Sequence, residues 1–254
     1  MNRRHWLTAA GATLTSMWLT GCDKLATNST FTGVLNVAEQ WSQRAQRLIT
    51  DRKALAKEFA ASEISKDFKA NGTMRPQDED YAALMVGGFA DYRLVVDGLV
   101  EQPLELTMGQ VRALPARTQI TRHDCVEGWS SIGKWKGAKL SALLAQAKLK
   151  PEAKYIVFHC FDTLEQTLDG SGRYYESIDL VDAFHPQTIL AYEMNDATLP
   201  VRHGYPLRLR VERQLGYKHA KYVMRIEAVA DYAQLGRGQG GFWPDRGYEW
   251  YAGI

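Results

Sequence analysis

The stretch TRHDCVEGWSSIGKW, residues Thr121–Trp135, is the most informative part of the sequence, because it places a cysteine where a predicted strand meets a turn. The residues that lead into it alternate and predict a strand that ends at Cys125 and enters a glycine-containing turn. KYIVFHC (154–160) and QTILAYEM (187–194) predict further strands, and KLSALLAQAKL (139–149) predicts an amphipathic helix. Strands outnumber helices and no βαβ rhythm persists, so we expect an α+β fold with a strand-rich mixed sheet core and peripheral helices.

Several roles are open to Cys125 on residue chemistry alone. Its thiolate would be a soft donor for a metal centre. The cations that favour this thiolate are Arg122, His123 and Lys134, and the anions that oppose it are Asp124 and Glu127. A disulfide with Cys160 is the ordinary alternative in an exported protein. Zinc would have His123 and His159 as donors but lacks the usual ligand spacing, and a nucleophile would need a base and an oxyanion hole that the sequence does not single out.

Length and charge set broad limits. The 254 residues are enough for one large domain or two small ones. With 45% apolar and 24% charged residues, the composition is that of an ordinary globular protein. The formal net charge of +2 gives no argument for nucleic acid as a partner, so any electrostatic attraction must be local.

Residues 1–22 predict a signal peptide that ends in a lipobox. Arg3 and Arg4 precede an apolar run that is too short to span a bilayer. This pair resembles a twin-arginine export signal, and a generic basic region is the alternative. Leu19–Cys22 resembles a bacterial lipobox, so we expect Cys22 to carry a lipid that anchors the protein to the periplasmic side of the inner membrane.

The mature chain divides into an arm and a domain. Residues 23–70 are charged and alanine-rich with helical spacing of their apolar side chains, which predicts a helical linker. The domain is expected over residues 71–254, where the strand patterns lie.

A basic cluster lies in LPVRHGYPLRLRVERQLGYKHAK, residues 199–221. On its strand the pleat places Arg208 and Arg210 on the face opposite the leucines. Arginines on a strand that leads into a glycine-containing loop can bind phosphate bidentately. The alternative is a solvated strand face whose charge is balanced by Glu212 and Asp196.

Four motifs together resemble the molybdopterin-binding oxidoreductase family, which has the sulfite oxidase fold. They are RHDCVEGWSSIGKW (122–135), YYESIDLVDAFHPQTILAYEMN (174–195), LPVRHGYPLRLRVERQLGYKHAKYV (199–223) and GYEWYAGI (247–254). The likeness covers roughly residues 71–254. Within the family the chain is closer to bacterial stand-alone members, such as periplasmic methionine sulfoxide reductase catalytic subunits, than to sulfite oxidases.

The resemblance implies a molybdenum-molybdopterin cofactor and the residues that hold it. Cys125 corresponds to the family's cysteine ligand of molybdenum, and Arg208 to its phosphate-binding arginine. Cys160 and His203 stand where the family carries a threonine and an asparagine, so both depart from the pattern. The other implied cofactor contacts are Asn71, Met74, Arg75, His219, Ala220 and Lys221.

Two side chains and the tail complete the predicted site. Arg122 and His123 would steer an oxyanion or a sulfoxide oxygen at the metal. The alternatives are a backbone hydrogen bond for His123 and an ion pair with Asp124 or Glu127 for Arg122. The aromatic tail (240–254) is expected to dock across the sheet or the cofactor entrance, with a partner surface as the alternative.

We therefore expect an exported molybdoenzyme that transfers an oxygen atom to or from a small substrate. Sulfite oxidases carry extra arginines where this chain has Gly128, Trp129 and Ser130, which favours a sulfoxide-type substrate over sulfite. The sequence has no haem, flavin or nicotinamide motif, so we expect a membrane cytochrome b or a soluble cytochrome c to exchange electrons with it. The alternative is a non-enzymatic lipoprotein with a Cys125–Cys160 disulfide and a basic strand that binds a partner.

Overall fold

The chain falls into two compact units, Met1–Thr50 and Asp51–Ile254. The computed structural model describes residues 41, 44–46, 51–168 and 172–254. The first unit is thus described only at residues 41 and 44–46, which are helical. The predicted signal peptide and lipobox lie outside the described residues. Within the described part of the chain, no helix has both the length and the apolar character needed to cross a membrane.

The second unit is built on two five-stranded sheets. The first has the order β2-β1-β10-β5-β6, and the second has β3-β4-β7-β8 with β9 also paired to β7. β1 and β10 run parallel, whereas the other neighbours are antiparallel, so the first sheet is mixed. The strands are β1 (Arg93–Gly98), β2 (Leu104–Thr107), β3 (Ala116–Asp124), β4 (Ser130–Lys139), β5 (Tyr155–Thr163), β6 (Arg173–Asp179), β7 (Ile189–Met194), β8 (Ala197–Thr198), β9 (Arg208–Arg210) and β10 (Val223–Val229).

Short helices accompany the strands, and most of their starts are capped by side chains. The Asp78 carboxylate accepts a hydrogen bond from the Tyr81 amide, and Thr107 forms a capping box with Gln110. The helices of the second unit are α1 (Glu79–Val86), α2 (Met108–Ala113), α3 (Leu140–Ala147) and α4 (Leu180–Ala183). The predicted α+β fold with a strand-rich core and peripheral helices is confirmed.

The main core is one apolar cluster that draws on α3 and on strands of both sheets. Leu140, Leu143, Leu144 and Ala147 are buried, which is the i, i+3, i+4, i+7 spacing that the sequence predicts for this helix. They belong to one apolar cluster with side chains of β5, including the fully buried Phe158. This packing holds β5 in place, and the end of β5 lines the candidate site.

The arm differs from its prediction. Residues 51–70 contain only a 3-10 turn at Ala61–Glu63 and no α-helix. Glu58 instead forms an antiparallel bridge with Thr121, and the Ser65 amide donates to the Ile132 carbonyl. The helical prediction is therefore wrong over 51–70, because pairing with the β3–β4 hairpin outweighs a weak local helical preference.

A second, smaller core connects the arm to the site. Trp135 of β4 is fully buried, and Phe68 of the arm meets its ring edge-on with centroids 5.3 Å apart. Phe68 also contacts the His123 and His203 rings, at 5.8 and 5.5 Å. The arm thus closes over side chains that the sequence assigns to the site.

Candidate functional site

A cavity of about 320 Å³ lies at the end of β3. The loop at 71–73 that follows the arm, the turn after β3, the end of β5, the loop before β10 and the aromatic tail all contribute to its walls. The polar or aromatic side chains that line it include Asn71, Cys125, Asp162, His219, Lys221 and Trp243. Strand ends and loops therefore bring together residues that are far apart in the sequence.

Cys125 lies directly after β3, at the start of a tight turn, as predicted. Its amide donates to the Trp129 carbonyl at 2.9 Å, and its carbonyl accepts from the Gly128 amide at 2.9 Å. Gly128 has a φ of +86°, a backbone conformation that favours glycine. The thiol is half-buried and lines the cavity.

The charges around the thiol do not favour its thiolate. Burial raises the pKa of Cys125, and the Glu127 carboxylate adds to this rise while the Lys69 ammonium opposes it. Glu127 thus opposes the thiolate, as the sequence predicts, and the cation that favours it is Lys69. A thiolate at Cys125 needs a further positive charge, such as a bound metal ion.

Cys160 lies apart from this cavity. It is a free thiol, fully buried in the apolar core of β5, and Cys125 is free as well. The disulfide alternative is therefore wrong. Among the described residues, no three His, Cys, Asp or Glu side chains converge on one point, so the geometry gives no support to zinc either.

Arg122 points away from the cavity. Its half-exposed guanidinium pairs with Asp124 at 2.8 Å and lines a separate cavity of about 180 Å³. Successive residues of a strand face opposite sides, so His123 is buried on the site side and Arg122 is not. The prediction that Arg122 steers a substrate is corrected in favour of its pairing with Asp124.

His123 is fully buried and its tautomer is set by a neighbour. The Arg210 guanidinium donates to His123 Nδ1 at 3.1 Å. Since an arginine has no acceptor, the ring proton of neutral His123 must be on Nε2. Burial lowers the pKa of His123 well below its usual value, and the nearby Arg208 charge adds to this shift, so the ring is neutral.

His123 Nε2 is directed at Gly216. It has no hydrogen-bond partner among the described residues. A Cβ at position 216 would lie 2.4 Å from it, closer than any real contact. Glycine is therefore required at this wall of the cavity.

Arg208 and Arg210 are both fully buried, although a solvated face was the simplest expectation for this strand. Trp135 covers the face of the strand that carries the arginines. Its ring centroid lies 5.4 Å from the Arg208 guanidinium and 4.5 Å from the Arg210 guanidinium. Arg210 is neutralised by Glu212, with contacts of 2.9 and 2.6 Å. Asp196 pairs with Lys134 at 2.6 Å and plays no part in this balance.

Arg208 has no such counter-charge. It donates only to the His203 carbonyl, at 3.2 Å, and its Nε and Nη2 have no partner among the described residues. Burial lowers its pKa to about 9, and the adjacent Arg210 charge adds to this fall. A buried cation with two unused donors is suited to an anionic ligand.

Lys221 holds the loop at 71–73 against the cavity. Its ammonium donates to the carbonyls of Asn71 at 2.6 Å, Arg202 at 3.1 Å and Thr73. The predicted contact Asn71 lines the cavity, and its Oδ1 has no partner in the described structure. Lys221 thus positions a loop, and the loop presents Asn71.

The two other predicted histidines offer unused ring nitrogens. His219 Nε2 contacts the Gln214 carbonyl at 3.0 Å, so this nitrogen carries the proton and Nδ1 is a bare acceptor. No described residue pairs with Nδ1 of His219 or of His203. Ala220 is buried in the main core and contributes only its backbone, which accepts from the Leu209 amide.

Met74 and Arg75 are not brought into the cavity. Both side chains are exposed, and neither lines the walls. The spacing that suggested them follows Asn71 along a loop that turns outward after Thr73.

Asp162 is a site residue that the sequence analysis missed. It follows Cys160 by two residues on β5, lines the cavity, and has an Oδ1 without a partner in the described chain. Burial raises its pKa to about 6, although the Lys221 charge and Thr73 oppose that rise. A carboxylate in an otherwise apolar strand was the available signal, since such residues are rarely buried without a purpose.

The aromatic tail docks at the cavity entrance, as predicted. Phe242, Trp243 and Tyr248 line the walls, and the Phe242 amide donates to the Tyr175 carbonyl of β6. Tyr174 and Tyr217 complete this side, with the Tyr174 hydroxyl donating to the Tyr217 carbonyl. The cavity thus has a polar part, which includes Asn71, Asp162 and His219, and an aromatic part formed by the tail with Tyr174 and Tyr217.

Comparison with known proteins gives consistent matches. The family described as "Oxidoreductase molybdopterin binding domain" matches residues 83–235. A relative from Azospira oryzae, named "Putative protein-methionine-sulfoxide reductase subunit YedZ1", is 34% identical over 238 residues, which cover 92% of this chain and 81% of the relative. The protein-methionine-sulfoxide reductase catalytic subunit MsrP of Campylobacter jejuni is 33% identical over 146 residues, which cover 54% of this chain and 48% of MsrP.

Among solved structures, the sulfane dehydrogenase SoxCD from Paracoccus pantotrophus aligns with a TM-score of 0.49 and 26% identity. The alignment covers 56% of this chain and 39% of that one.

Proposed function

This chain belongs to the molybdopterin-binding oxidoreductase family, and we propose on that premise that it reduces sulfoxides through a molybdenum atom bound by Cys125. Membership makes the protein an oxidoreductase that binds molybdopterin. The metal, the substrate, the electron partner and the location are the proposed parts.

The polar atoms without partners fit the cofactor, and Arg208 is the observation that carries the proposal. Molybdopterin has a phosphate at one end and a pterin ring with N–H donors and acceptors at the other. Arg208 Nε and Nη2 are unused donors for the phosphate, whereas Asn71 Oδ1 and Asp162 Oδ1 are unused acceptors for ring N–H groups. Buried atoms left in this state cost roughly 1–3 kcal/mol each, so native proteins contain few of them.

Cys125 would bind the metal. Its thiol lines the cavity that Asn71 and Asp162 also line, and a soft thiolate suits a heavy metal that already has dithiolene sulfurs. When bound, the molybdenum cofactor supplies two-electron oxygen-atom transfer, and the protein orients the cofactor and the substrate. His123 and His219 are both neutral and adjacent, with ring centroids 5.1 Å apart, and they offer one donor and one acceptor beside Gly216.

The overall reaction consumes two electrons and two protons. A sulfoxide loses its oxygen as water, the sulfur–oxygen bond breaks, and a thioether remains. The reductive direction and methionine sulfoxide as substrate are supported by the names of both relatives.

The charges at the entrance favour a neutral substrate over sulfite. Arg246 is paired with Glu165 at 2.5 Å, and Lys69 lies 3.8 Å from Glu127. The Lys221 ammonium is already used by three backbone carbonyls. Arg246 and Lys69 are thus paired with carboxylates and the N–H donors of Lys221 are occupied, so a dianion gains little from these side chains, whereas a neutral sulfoxide needs no cation.

The remaining parts of the proposal concern location and partners. We place the catalytic domain at residues 71–254, behind a signal peptide and a lipid anchor at Cys22 in the periplasmic leaflet of the inner membrane. A membrane cytochrome b or a soluble cytochrome c would supply electrons. The word "subunit" in the names of both curated relatives supports a partner protein.

Two cysteine variants test the function. Protein purified from the periplasm should contain stoichiometric molybdenum and reduce methionine sulfoxide with a reduced viologen as electron donor. Cys125→Ser should abolish turnover and leave the fold intact. Cys160→Ser is the matched control, because that thiol is buried outside the cavity, and it should keep its turnover. Metal-free wild-type protein, or full turnover by Cys125→Ser, would contradict the proposal.

A further inference from the structure

The tail builds a stacked pair of aromatic rings on one wall of the cavity. Trp243 and Tyr248 both line it, and their ring centroids are 5.1 Å apart with 27° between the planes. A 3-10 turn at Pro244–Arg246 brings them together, and the Tyr248 amide donates to the Trp243 carbonyl at 3.1 Å. Gly247, with a φ of +94°, closes this turn. The turn between them thus places the Trp243 and Tyr248 rings side by side as one aromatic surface.

This wall is fixed before any ligand binds. Arg246 Nε and Nη2 donate to the two carboxylate oxygens of Glu165 at 2.8 and 2.5 Å, which ties the tail to the loop after β5. The Tyr217 ring meets Tyr248 edge-on at 5.3 Å, and its hydroxyl donates to the Glu249 carbonyl at 2.6 Å. A preorganised surface contributes more to binding, because little side-chain entropy is lost when the ligand arrives.

Apolar side chains continue the wall towards the cysteine. Val126 directly follows Cys125, is 48% exposed and lines the cavity. Leu164 lines it as well, from the loop after β5. Exposed apolar groups collected in a concave site mark the place where the apolar part of a ligand is held.

We propose that the stacked Trp243–Tyr248 pair determines substrate specificity by selecting sulfoxides with a large apolar substituent on sulfur. This inference rests on the sulfoxide reductase function proposed above. An aryl or long alkyl group packs on the ring faces and on Val126, while the sulfoxide oxygen is directed to the polar end of the cavity. Small sulfoxides lack the group that this wall binds. The pair therefore lowers KM for bulky substrates and leaves kcat unchanged.

The experiment compares two substrates in the loaded enzyme. Steady-state reduction of methyl p-tolyl sulfoxide and of dimethyl sulfoxide is measured with a reduced viologen, which donates the two electrons. Trp243→Ala should raise KM for the tolyl substrate about tenfold relative to dimethyl sulfoxide, because one aromatic contact and its buried area are lost. Trp243→Phe should restore most of the difference. Molybdenum content, measured alongside, should stay at the wild-type level in both variants.

Trp250→Ala is the matched control in the same tail. Its ring packs on Tyr155 and Tyr232, with centroids 5.4 and 5.7 Å away, and does not line the cavity. General damage to the tail would change KM for both substrates by the same factor. Trp250→Ala should therefore leave the ratio of the two KM values at the wild-type level. Equal KM changes for both substrates in Trp243→Ala overturn the inference and leave the proposed function standing. A wild-type enzyme that loads molybdenum and reduces no sulfoxide overturns both.

Discussion

Replacing Arg208 with methionine should make the cofactor-free protein more stable, although it destroys the site. The guanidinium is fully buried with two nitrogens that have no partner among the described residues. Its pKa is lowered to about 9, so the charged form, which persists at neutral pH, is penalised in the folded state. At about 1.4 kcal/mol per pKa unit, the penalty is about 5 kcal/mol. Replacing buried ions with apolar groups of similar volume recovers roughly 1–4 kcal/mol.

Arg210→Met is the matched control on the same strand. It removes the same side chain at the same depth, but Arg210 holds Glu212 at 2.6 Å and donates to His123. Its loss leaves a buried carboxylate for which Gln119, at 2.8 Å, is the one other side-chain donor among the described residues. Breaking such a pair costs about 3–5 kcal/mol. The two substitutions should therefore have opposite signs.

Urea unfolding measures both effects. The full chain is produced in a host that cannot make molybdopterin, and tryptophan fluorescence reports the transition. Arg208→Met should shift the midpoint upward with an unchanged slope, and Arg210→Met should shift it downward. In a cofactor-producing host, Arg208→Met should contain little pterin. If Arg208→Met destabilises the cofactor-free protein as Arg210→Met does, the Arg208 guanidinium is already compensated without an anionic ligand, and the argument for cofactor binding fails.

Two further predictions concern neighbouring residues. Gly216→Ala should lower cofactor content, measured as pterin fluorescence, because its Cβ would lie 2.4 Å from His123 Nε2; a variant with full cofactor would refute this packing. His203 has a pKa lowered to about 3, chiefly by burial and then by Arg208, so the unfolded chain binds its proton first and stability falls as the pH drops below about 6.5. Between pH 7 and 5 this lowers the free energy of unfolding by about 2 kcal/mol. Urea unfolding of His203→Asn at the two pH values should show a loss of stability that is smaller by this amount. A loss identical to that of the wild-type protein would count against a neutral buried ring.

The sequence predicted what local pattern controls. The strand that ends at Cys125, its glycine turn and α3 follow from alternation and helical spacing, and all are present. The helical prediction for the arm was wrong over 51–70 because the partner of that segment, the β3–β4 hairpin, is distant in the chain. Arg208 and Arg210 show a second limit: the pleat places them on one face, but only tertiary structure tells that Trp135 covers that face. Asp162 was missed because hydrophobic periodicity does not distinguish a single buried carboxylate from an exposed one.

The unused polar atoms also link cofactor loading to folding. A domain of this size is stable by about 5–15 kcal/mol, and the penalty on Arg208 alone is about 5 kcal/mol. Asn71, Asp162 and His219 each add an unpaired atom. A ligand that satisfies these groups stabilises only the folded state, by an amount that grows with the logarithm of its concentration over its dissociation constant. The loaded protein should therefore resist unfolding far better than the empty one, which would suit the proposed export of the protein in a folded state with its cofactor already bound.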